Sequence, residues 1–338
     1  MKKFIKLTTF LITVLFYNSA QSPDYGKYRS YLDYYLGSAN SSNLEQGNLY
    51  FYIVSQFINF GSRDINLRTI EEYISYKIQF ANFFFYIVFI TGLYRVLKIY
   101  KFRKDNILLL LIVLNFFPPL VAIRIIFKPE ILILGLITFC ILFIEKYLKT
   151  KKLEYLVSFV LFYSLIISTK FTSASMVTIL FFIIYRRKFL NDFSNIVLAT
   201  LIITLFLFGI LSYENYLIND IPFFEGQNPD FYNSKASSNF IYNVNFKDLV
   251  YKPYKDFHAD SMIGIILLET FDDYFHLYWN NDESLFSKAQ IPTNIKYVPY
   301  LGMSMTLIFY ILIIYLSIVD KRYRPFYLSP FIGIFIMY

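Results

Sequence analysis

The sequence has few of the residues on which many soluble proteins rely. Its 338 residues include a single Cys, a single Trp, two His and only 11 Gly. One cysteine excludes a disulfide or a cysteine-ligated metal site within the chain. The sequence also has no glycine-rich nucleotide loop, zinc-protease motif or nucleophile-elbow motif. Charged residues amount to 17%, against about 25% in an ordinary soluble domain. These shortages exclude a disulfide scaffold, a disordered chain and most soluble enzymes.

Apolar residues are abundant instead. They make up 57% of the chain, with 39 Phe and 32 Tyr, and the mean hydropathy is +0.47. A helix needs about 20 apolar residues to cross a bilayer. We therefore predict an all-α polytopic membrane protein with about nine transmembrane helices, forming a single membrane domain over residues 1–338. The predicted spans are Phe4–Tyr17, Phe80–Leu97, Ile107–Ile126, Ile131–Ile144, Leu153–Thr169, Phe171–Tyr185, Ile196–Tyr213, Pro299–Val319 and Phe326–Tyr338.

The first and last spans each allow two interpretations. Lysines precede the first run and Asn18-Ser19-Ala20 follows it, so the run is either a span or a cleaved signal peptide. The last run stops at Tyr338 with no flanking charge. That ending is expected of a clipped span or of a short family member.

Basic residues are distributed unevenly around these spans. The net charge of +8 would in a soluble protein suggest a nucleic-acid partner. More than half of the 32 Lys and Arg residues, however, fall in short connections on the side of the N-terminus, as the cytoplasmic loops of membrane proteins do. The connections predicted on the opposite side have a negative net charge. We therefore predict a protein of the cell (inner) membrane with a cytoplasmic N-terminus, whose partner is the lipid bilayer and not nucleic acid.

Two segments on the extracytoplasmic side, residues 18–79 and 214–298, are too long to be simple turns, and loops of this length are usually functional or disordered. Both are rich in Tyr, Phe, Ile and Leu, which is unlike disorder. In the first segment, Ser22-Pro23-Asp24 predicts the start of a helix that Gly37 ends. Residues 48–60 predict a helix lying in the membrane interface.

Carboxylates of the first segment are candidates for catalysis. Asp24 follows the first span at the membrane surface, where a lipid-linked substrate would be met. It is either a helix N-terminal acid stabilised by the dipole or a catalytic base. Asp33 is nine residues further on, so a helix places it on the opposite face from Asp24. The two are therefore not expected to form a carboxylate pair.

Charged residues also mark the short extracytoplasmic turns. Arg124, Lys128 and Glu130 lie where the third span returns as the fourth, and Lys170 lies where the fifth returns as the sixth. An Arg offers a bidentate fork to phosphate and a Lys offers a point charge. These residues are therefore candidates for substrate binding. The alternative is that they are anchors whose charged ends reach the lipid surface.

The second segment contains Asp272, Asp273 and His276. On a helix, His276 is four residues from one aspartate and three from the other, so all three share one face. They are candidates for substrate binding, for a proton relay or for a weak divalent-metal site. Only one His takes part and no further ligands are evident, so we do not expect a metal. The alternative is a solvated amphipathic helix.

The order of these parts resembles the GT-C superfamily of multipass glycosyltransferases, which use polyprenyl-phosphate-linked sugars on the extracytoplasmic side. The features that carry the resemblance are an acidic residue just after the first span, the interfacial helix, two basic span starts and an acidic pair in the late loop. They are Ser22-Pro23-Asp24-Tyr25, residues 48–60, Lys128-Pro129-Glu130-Ile131-Leu132, Lys170-Phe171-Thr172 and Asp272-Asp273-Tyr274-Phe275. The family often has Arg-Pro-Asp where Lys128-Pro129-Glu130 stands here.

The resemblance implies a role for each candidate. Asp24 would be the catalytic base for an acceptor hydroxyl, with Asp33 as a second choice. The leaving lipid phosphate would be held by Arg124, Lys128 and Lys170. Further substrate contacts would come from Glu130, Asp272, Asp273 and His276. The expected partners are a polyprenyl-phosphate-linked sugar as donor and a lipid, glycan or protein as acceptor. The resemblance assigns no definite cofactor, and a divalent metal is the less favoured alternative.

Two other functions remain open. A polysaccharide polymerase or ligase of the cell envelope would rely on arginines in its outer loops, but residues 214–298 contain Lys and no Arg. A non-enzymatic lipid or glycan transporter would favour charges within spans, broken helices and internal repeats. The predicted spans are nearly free of charge, which places the transporter third.

Overall fold

The computed structural model describes residues 7–11, 13, 25–38, 47–60, 70–170, 243–251, 261–269 and 298–320, with ten single residues between 173 and 328. All regular elements in this part are α-helices, so the predicted all-α fold is confirmed for it. The chain divides into two units. Unit 1 comprises Met1–Ala20 and Asp24–Gln227, and unit 2 comprises Gln21–Pro23 and Asn228–Tyr338.

Unit 1 contains seven of the described helices with complete boundaries, and unit 2 contains three. In unit 1 they are α1 (Tyr25–Tyr35), α2 (Leu49–Asn59), α3 (Ile70–Ile99), α4 (Lys104–Asn115), α5 (Pro118–Ile125), α6 (Glu130–Thr150) and α7 (Leu153–Thr169). In unit 2 they are α8 (Phe246–Tyr251), α9 (Met262–Glu269) and α10 (Val298–Val319).

Three of these helices are long and apolar enough to cross a membrane. The qualifying stretches are Tyr73–Ile99 in α3, Glu130–Thr150 in α6 and Tyr300–Val319 in α10. Helix α7 is equally apolar but shorter, with 17 residues. The protein is thus a membrane protein by the length and composition of its described helices. The predicted spans Phe171–Tyr185, Ile196–Tyr213 and Phe326–Tyr338, apart from a few single residues, and most of Phe4–Tyr17 lie outside the described residues.

Several predicted boundaries match the structure closely. The run Leu153–Thr169 coincides with α7, and the predicted interfacial helix over residues 48–60 corresponds to α2. Helix α1 ends as expected at Gly37, whose φ is +72°. Its N–H donates to the carbonyl of Tyr34, and the next N–H, of Ser38, donates to the carbonyl of Asp33. This pair of bonds is a Schellman motif, which requires the left-handed backbone that glycine adopts without strain.

The predicted span Ile107–Ile126 is divided in the structure. Helix α4 ends at Asn115, and α5 begins at Pro118. The cause is the pair Pro118-Pro119, because a proline lacks the N–H that would continue the helix and disfavours helical backbone in the residue before it. A single continuous helix was therefore the wrong expectation for this run.

Helix α6 packs between α3 and α7. Close approach to α3 depends on small residues, because a Cβ added at Gly92 would overlap the side chain of Thr138, and one at Gly135 would lie 3.3 Å from Cγ1 of Val88. Helices in membranes approach closely through such residues. Towards α7 the contact is aromatic, with the rings of Phe139 and Phe162 stacked at 5.0 Å.

The short helices α1 and α2 cover the turn that leads into α6. The side chain of Phe127, in that turn, is fully buried. Its ring lies 5.6 Å from that of Tyr50, 5.7 Å from that of Phe51 and 6.2 Å from that of Tyr28. The first predicted extracytoplasmic segment and the predicted turn at residues 127–130 are therefore at the same end of unit 1.

In unit 2, α9 begins with a capping bond in which Ser261 Oγ accepts the N–H of Gly264 at 3.0 Å, as an N-cap serine does. The phenol of Tyr300 in α10 donates to the carbonyl of Val250 at 2.8 Å. Most large apolar side chains of α10, such as Ile308 and Ile311, are exposed. This is the surface expected of a helix whose surroundings are lipid.

Candidate functional site

An ion pair joins α6 and α7 where they lie next to each other. Nζ of Lys170 is 2.7 Å from Oε1 of Glu130. Glu130 is the first residue of α6, and Lys170 directly follows α7. The two side chains are 33% and 24% exposed. Two candidates that are 40 residues apart in the sequence are thus brought together at one end of unit 1.

We call this region the ion-pair end, defined as residues 127–130 and 170. The start of α2 lies against it, because a Cβ added at Gly47 would overlap the backbone of Ser168 at the end of α7. The second carboxylate oxygen of Glu130, Oε2, is buried and has no hydrogen-bond partner among the described residues. The ion-pair end therefore combines a cation, a carboxylate with spare acceptor capacity and the beginning of a short apolar helix.

Arg124 is fully buried just before this end. Its Nη1 donates to Oδ1 of Asn115 at 2.6 Å, and its Nε donates to the carbonyl of Leu120 at 3.1 Å. Its Nη2 donates to the backbone carbonyl of Asn115. The guanidinium carbon lies 4.2 Å from the centroid of the Tyr86 ring. All three guanidinium nitrogens therefore donate to the protein.

The helix break explains this position of Arg124. Asn115 is the last residue of α4, so its carbonyl has no partner within that helix. The C-terminal end of a helix also carries partial negative charge. The guanidinium thus satisfies an unpaired carbonyl and neutralises the helix end, and the Tyr86 ring adds a cation–π contact.

A chain of polar side chains extends from Arg124 in both directions. Asn115 Oδ1 also accepts a bond from Thr9 Oγ1 at 3.0 Å. On the other side, Nδ2 of Asn82 donates to the carbonyls of Arg124 and Ile126 at 3.1 and 3.0 Å. Tyr50 in α2 donates to Oδ1 of Asn82 at 2.8 Å. Asn82 and Asn115 were not among the residues predicted from the sequence. An Asn within an apolar run was the available signal, because polar groups in spans are costly unless they are paired.

The remaining described candidates are placed separately. Asp33 accepts a hydrogen bond from Nε of Arg29 at 2.8 Å, one helical turn earlier in α1. The side chain of Lys128 is half-buried, next to the buried Phe127. The structure thus joins Glu130 with Lys170 and gives Asp33 and Arg124 partners of their own.

Four candidates lie outside the described residues: Asp24, Asp272, Asp273 and His276. Their predicted roles remain predictions. In the part of the chain that the structure describes, no group of three or more His, Cys, Asp or Glu side chains is arranged to hold a metal ion.

The ion-pair end is suited to one type of chemistry. A lysine at the end of an apolar helix can neutralise an anionic group at the membrane surface, because burial weakens the competition from water. That anion would have to displace or share the Glu130 carboxylate. Comparison of the chain with protein-family models, with curated proteins and with solved structures finds no match.

Proposed function

We propose that the protein is a membrane glycosyltransferase that moves a sugar from a polyprenyl-phosphate donor to a lipid, glycan or protein acceptor on the extracytoplasmic face. The observation that carries the proposal is the Lys170–Glu130 pair at adjoining ends of two apolar helices. It supplies a cation at the depth where the phosphate of a lipid-linked sugar would lie, while the polyprenyl chain remains in the bilayer.

In the proposed reaction, an acceptor hydroxyl attacks the anomeric carbon of the donor sugar. The bond from that carbon to the phosphate oxygen breaks, and polyprenyl phosphate leaves. Asp24 takes the hydroxyl proton as general base. Lys170 and Lys128 neutralise the charge that develops on the leaving phosphate. Asp33, Glu130, Asp272, Asp273 and His276 are further candidates for contacts to the substrates.

Arg124 has a different role in this proposal. Its nitrogens already donate to Asn115 and Leu120, so it would have to give up bonds in a buried site to hold phosphate. We propose instead that it supports the turn at residues 127–130 from within the protein. Asn82, which donates to the carbonyls of Arg124 and Ile126, links this support to α3.

The proposal includes the finer topology: nine spans, a cytoplasmic N-terminus and both long segments outside, in the inner membrane. A reporter enzyme fused near Asn243 is expected to be active only on the extracytoplasmic side. A cytoplasmic signal would contradict this topology without bearing on the chemistry.

A transporter is the second candidate, because the structure has a broken helix with a buried arginine. In transporters, the interrupted ends of such helices face a substrate cavity. Here the carbonyl at the break accepts a hydrogen bond from Arg124, so the described part of the break is closed by the protein itself. This favours a structural break over a transport site.

The proposal is tested by supplying purified protein in lipid discs with a panel of radiolabelled polyprenyl-phosphate sugars and with candidate acceptors. We expect transfer from at least one donor. Replacing Asp24 with Asn is expected to lower kcat by roughly 100-fold or more, the usual contribution of a general base.

Asp105→Asn is the matched control, because Asp105 is an exposed acid in the first turn of α4; it is expected to keep the parental rate. A parental rate in Asp24→Asn would show that Asp24 is not the base. Uptake of lipid-linked sugar into vesicles without any transfer would make the transporter the better proposal.

A further inference from the structure

The end of unit 1 opposite the ion-pair end is strongly basic. We call it the lysine end, defined as residues 94–105 and 143–155, where α3 and α6 end and α4 and α7 begin. Tyr100 ties the two stretches together by donating to Oε1 of Glu145 at 2.9 Å. The basic residues of the lysine end are Arg95, Lys98, Lys101, Arg103, Lys104, Lys146, Lys149, Lys151 and Lys152. They greatly outnumber the acids Asp105, Glu145 and Glu154.

Several of these lysines lie over aromatic rings. Nζ of Lys146 is 5.1 Å from the centroid of Tyr155 and 5.8 Å from that of Phe143. Nζ of Lys98 is 6.0 Å from the centroid of Tyr94. A cation–π contact restrains the ammonium group at the face of the ring. The charges are thereby kept beside the ends of apolar helices, where lipid headgroups lie.

Two lysines occupy backbone positions that favour glycine. Lys101 and Lys151 have φ angles of 61° and 57°, in the left-handed region. An L-residue with a side chain is strained there, whereas glycine is not. Lys151 directly follows α6, and Lys101 lies two residues after the last residue of α3; the C-terminal end of a helix attracts a cation. The chain thus keeps a lysine at two helix ends despite local strain.

Much of this positive charge is not neutralised within the described structure. Glu145 Oε2 lies 3.6 Å from Nζ of Lys149, and Glu154 Oε1 lies 3.9 Å from Nζ of Lys152. Lys98, Lys101 and Lys146 have no carboxylate partner among the described residues. A phosphodiester headgroup would supply the missing negative charge at the right depth, because clusters of basic residues next to membrane helices attract anionic lipids.

We propose that the lysine end is a binding site for the phosphodiester headgroup of an anionic phospholipid. The inference does not depend on the proposed sugar transfer, because it uses none of the residues assigned to that reaction. The ammonium groups of Lys98, Lys101 and Lys146 bind the phosphate, and the rings of Tyr94 and Tyr155 restrain two of them at the headgroup level.

The test measures the affinity of the purified full chain, in neutral detergent, for fluorescent phosphatidylglycerol and fluorescent phosphatidylcholine. We expect the parent to bind phosphatidylglycerol more tightly. The triple variant Lys98→Gln, Lys101→Gln and Lys146→Gln is expected to bind it roughly 100-fold more weakly, with phosphatidylcholine unaffected. Equal affinity of the parent for the two lipids, or parental affinity in the triple variant, would overturn the proposal.

Lys77→Gln is the matched control. Nζ of Lys77 lies 5.2 Å from the centroid of Tyr73, so this lysine has the same type of ring contact near the other end of α3. It is expected to bind phosphatidylglycerol like the parent. An equal loss of affinity for phosphatidylglycerol in Lys77→Gln would show that the effect depends on the total charge of the protein and not on the lysine end.

Lys101→Gly separates binding from folding. Glycine relieves the left-handed strain, so the variant is expected to melt no lower than the parent in neutral detergent. It is nevertheless expected to lose affinity for phosphatidylglycerol, because a phosphate-binding ammonium group is gone. An unchanged affinity of Lys101→Gly for phosphatidylglycerol would show that the assignment to lipid is wrong. The same conclusion would follow if an acidic peptide bound the lysine end without displacing the lipid.

Discussion

At the ion-pair end of unit 1 and just before it, Lys170 and Arg124 donate to oxygen atoms of the protein. At the lysine end, Lys98 and Lys146 lie over aromatic rings without a described carboxylate partner. In the first arrangement each cation has a hydrogen-bond partner within the fold, and a ligand there must compete with that partner. The second leaves charge for an external anion. One unit of the same chain therefore uses cations in two different ways.

Burial accounts for the difference. An unpaired charge in a low-dielectric interior is costly, so Arg124, which is fully buried, needs its partners even in the absence of substrate. The exposed Lys98 is solvated and can remain without one. Lys170, at 24% exposure, is intermediate, and Glu130, its ion-pair partner among the described residues, is also partly exposed. The expected effects of substitutions on stability therefore differ between these sites.

The largest expected effect is at Arg124. In Arg124→Met, the carbonyls of Asn115 and Leu120 and the amide oxygen of Asn115 lose a donor inside the protein. We expect the free energy of unfolding to fall by about 3 kcal/mol or more, because each buried acceptor left unsatisfied costs about 1–3 kcal/mol. Thermal unfolding of the purified protein in detergent measures it. If Arg124 mainly binds donor phosphate, the variant will instead keep its melting temperature and show a raised KM for the donor.

Arg95→Met is the control for that experiment, because Arg95 is an exposed arginine of α3. A substitution at such a surface position is expected to change stability by no more than about 0.5 kcal/mol. Similar losses in the two variants would mean that removing any arginine is harmful, and that the bonds to Asn115 have no special importance.

An intermediate effect is expected at Tyr100. Its hydroxyl donates to Glu145, whose side chain is only 7% exposed. Tyr100→Phe removes this bond to a charged group, which typically contributes about 1.5–3 kcal/mol. We expect a value near the lower limit, because Lys149 remains close to the carboxylate. The melting temperature should fall less than in Arg124→Met, and the reverse order would contradict the proposed importance of burial.

The smallest expected effect is at the ion-pair end. A double-mutant cycle with Lys170→Gln, Glu130→Gln and the double variant should give a coupling free energy below about 1 kcal/mol, because both side chains are partly exposed. The effect of these substitutions on the KM for the donor should be larger than their effect on stability. Glu130→Gln frees Lys170, so the KM for the donor should fall, whereas Lys170→Gln should raise it. A rise in KM for both would show that Glu130 contacts the substrate directly.

The sequence predicted the features that depend on local pattern. Leu153–Thr169 is uniformly apolar between charged residues, and its helix has those bounds. Gly37 ends α1 because only its backbone conformation completes that motif without strain. Lys170 and Glu130 were placed on the same side by counting spans, which is a prediction of topology. Their direct contact depends on how α6 and α7 pack and could not be predicted from spacing.

The partners of Arg124 could not be predicted from the sequence either, because they too depend on how the helices pack. Pro118-Pro119 is visible as a helix breaker, yet the apolar run around it favoured a single span. The hydrogen bond from the side chain of Arg124 back to the carbonyl of Asn115 is a tertiary contact. No periodicity encodes it, although the burial of an arginine in an apolar run indicated that some partner was required.

The break between α4 and α5 has a consequence for how the protein is assembled. Helix α4 has 12 residues, so it is about 18 Å long, while the hydrocarbon layer is about 30 Å thick. In the proposed topology, in which α4 enters the bilayer at the lysine end, the carbonyl of its last residue, Asn115, would therefore lie within the layer, away from water. In that topology this carbonyl would remain unpaired during insertion until Arg124, nine residues later in the chain, has been synthesised and has folded back onto it. Helices α4 and α5 are thus expected to enter the bilayer together, as one unit of biogenesis.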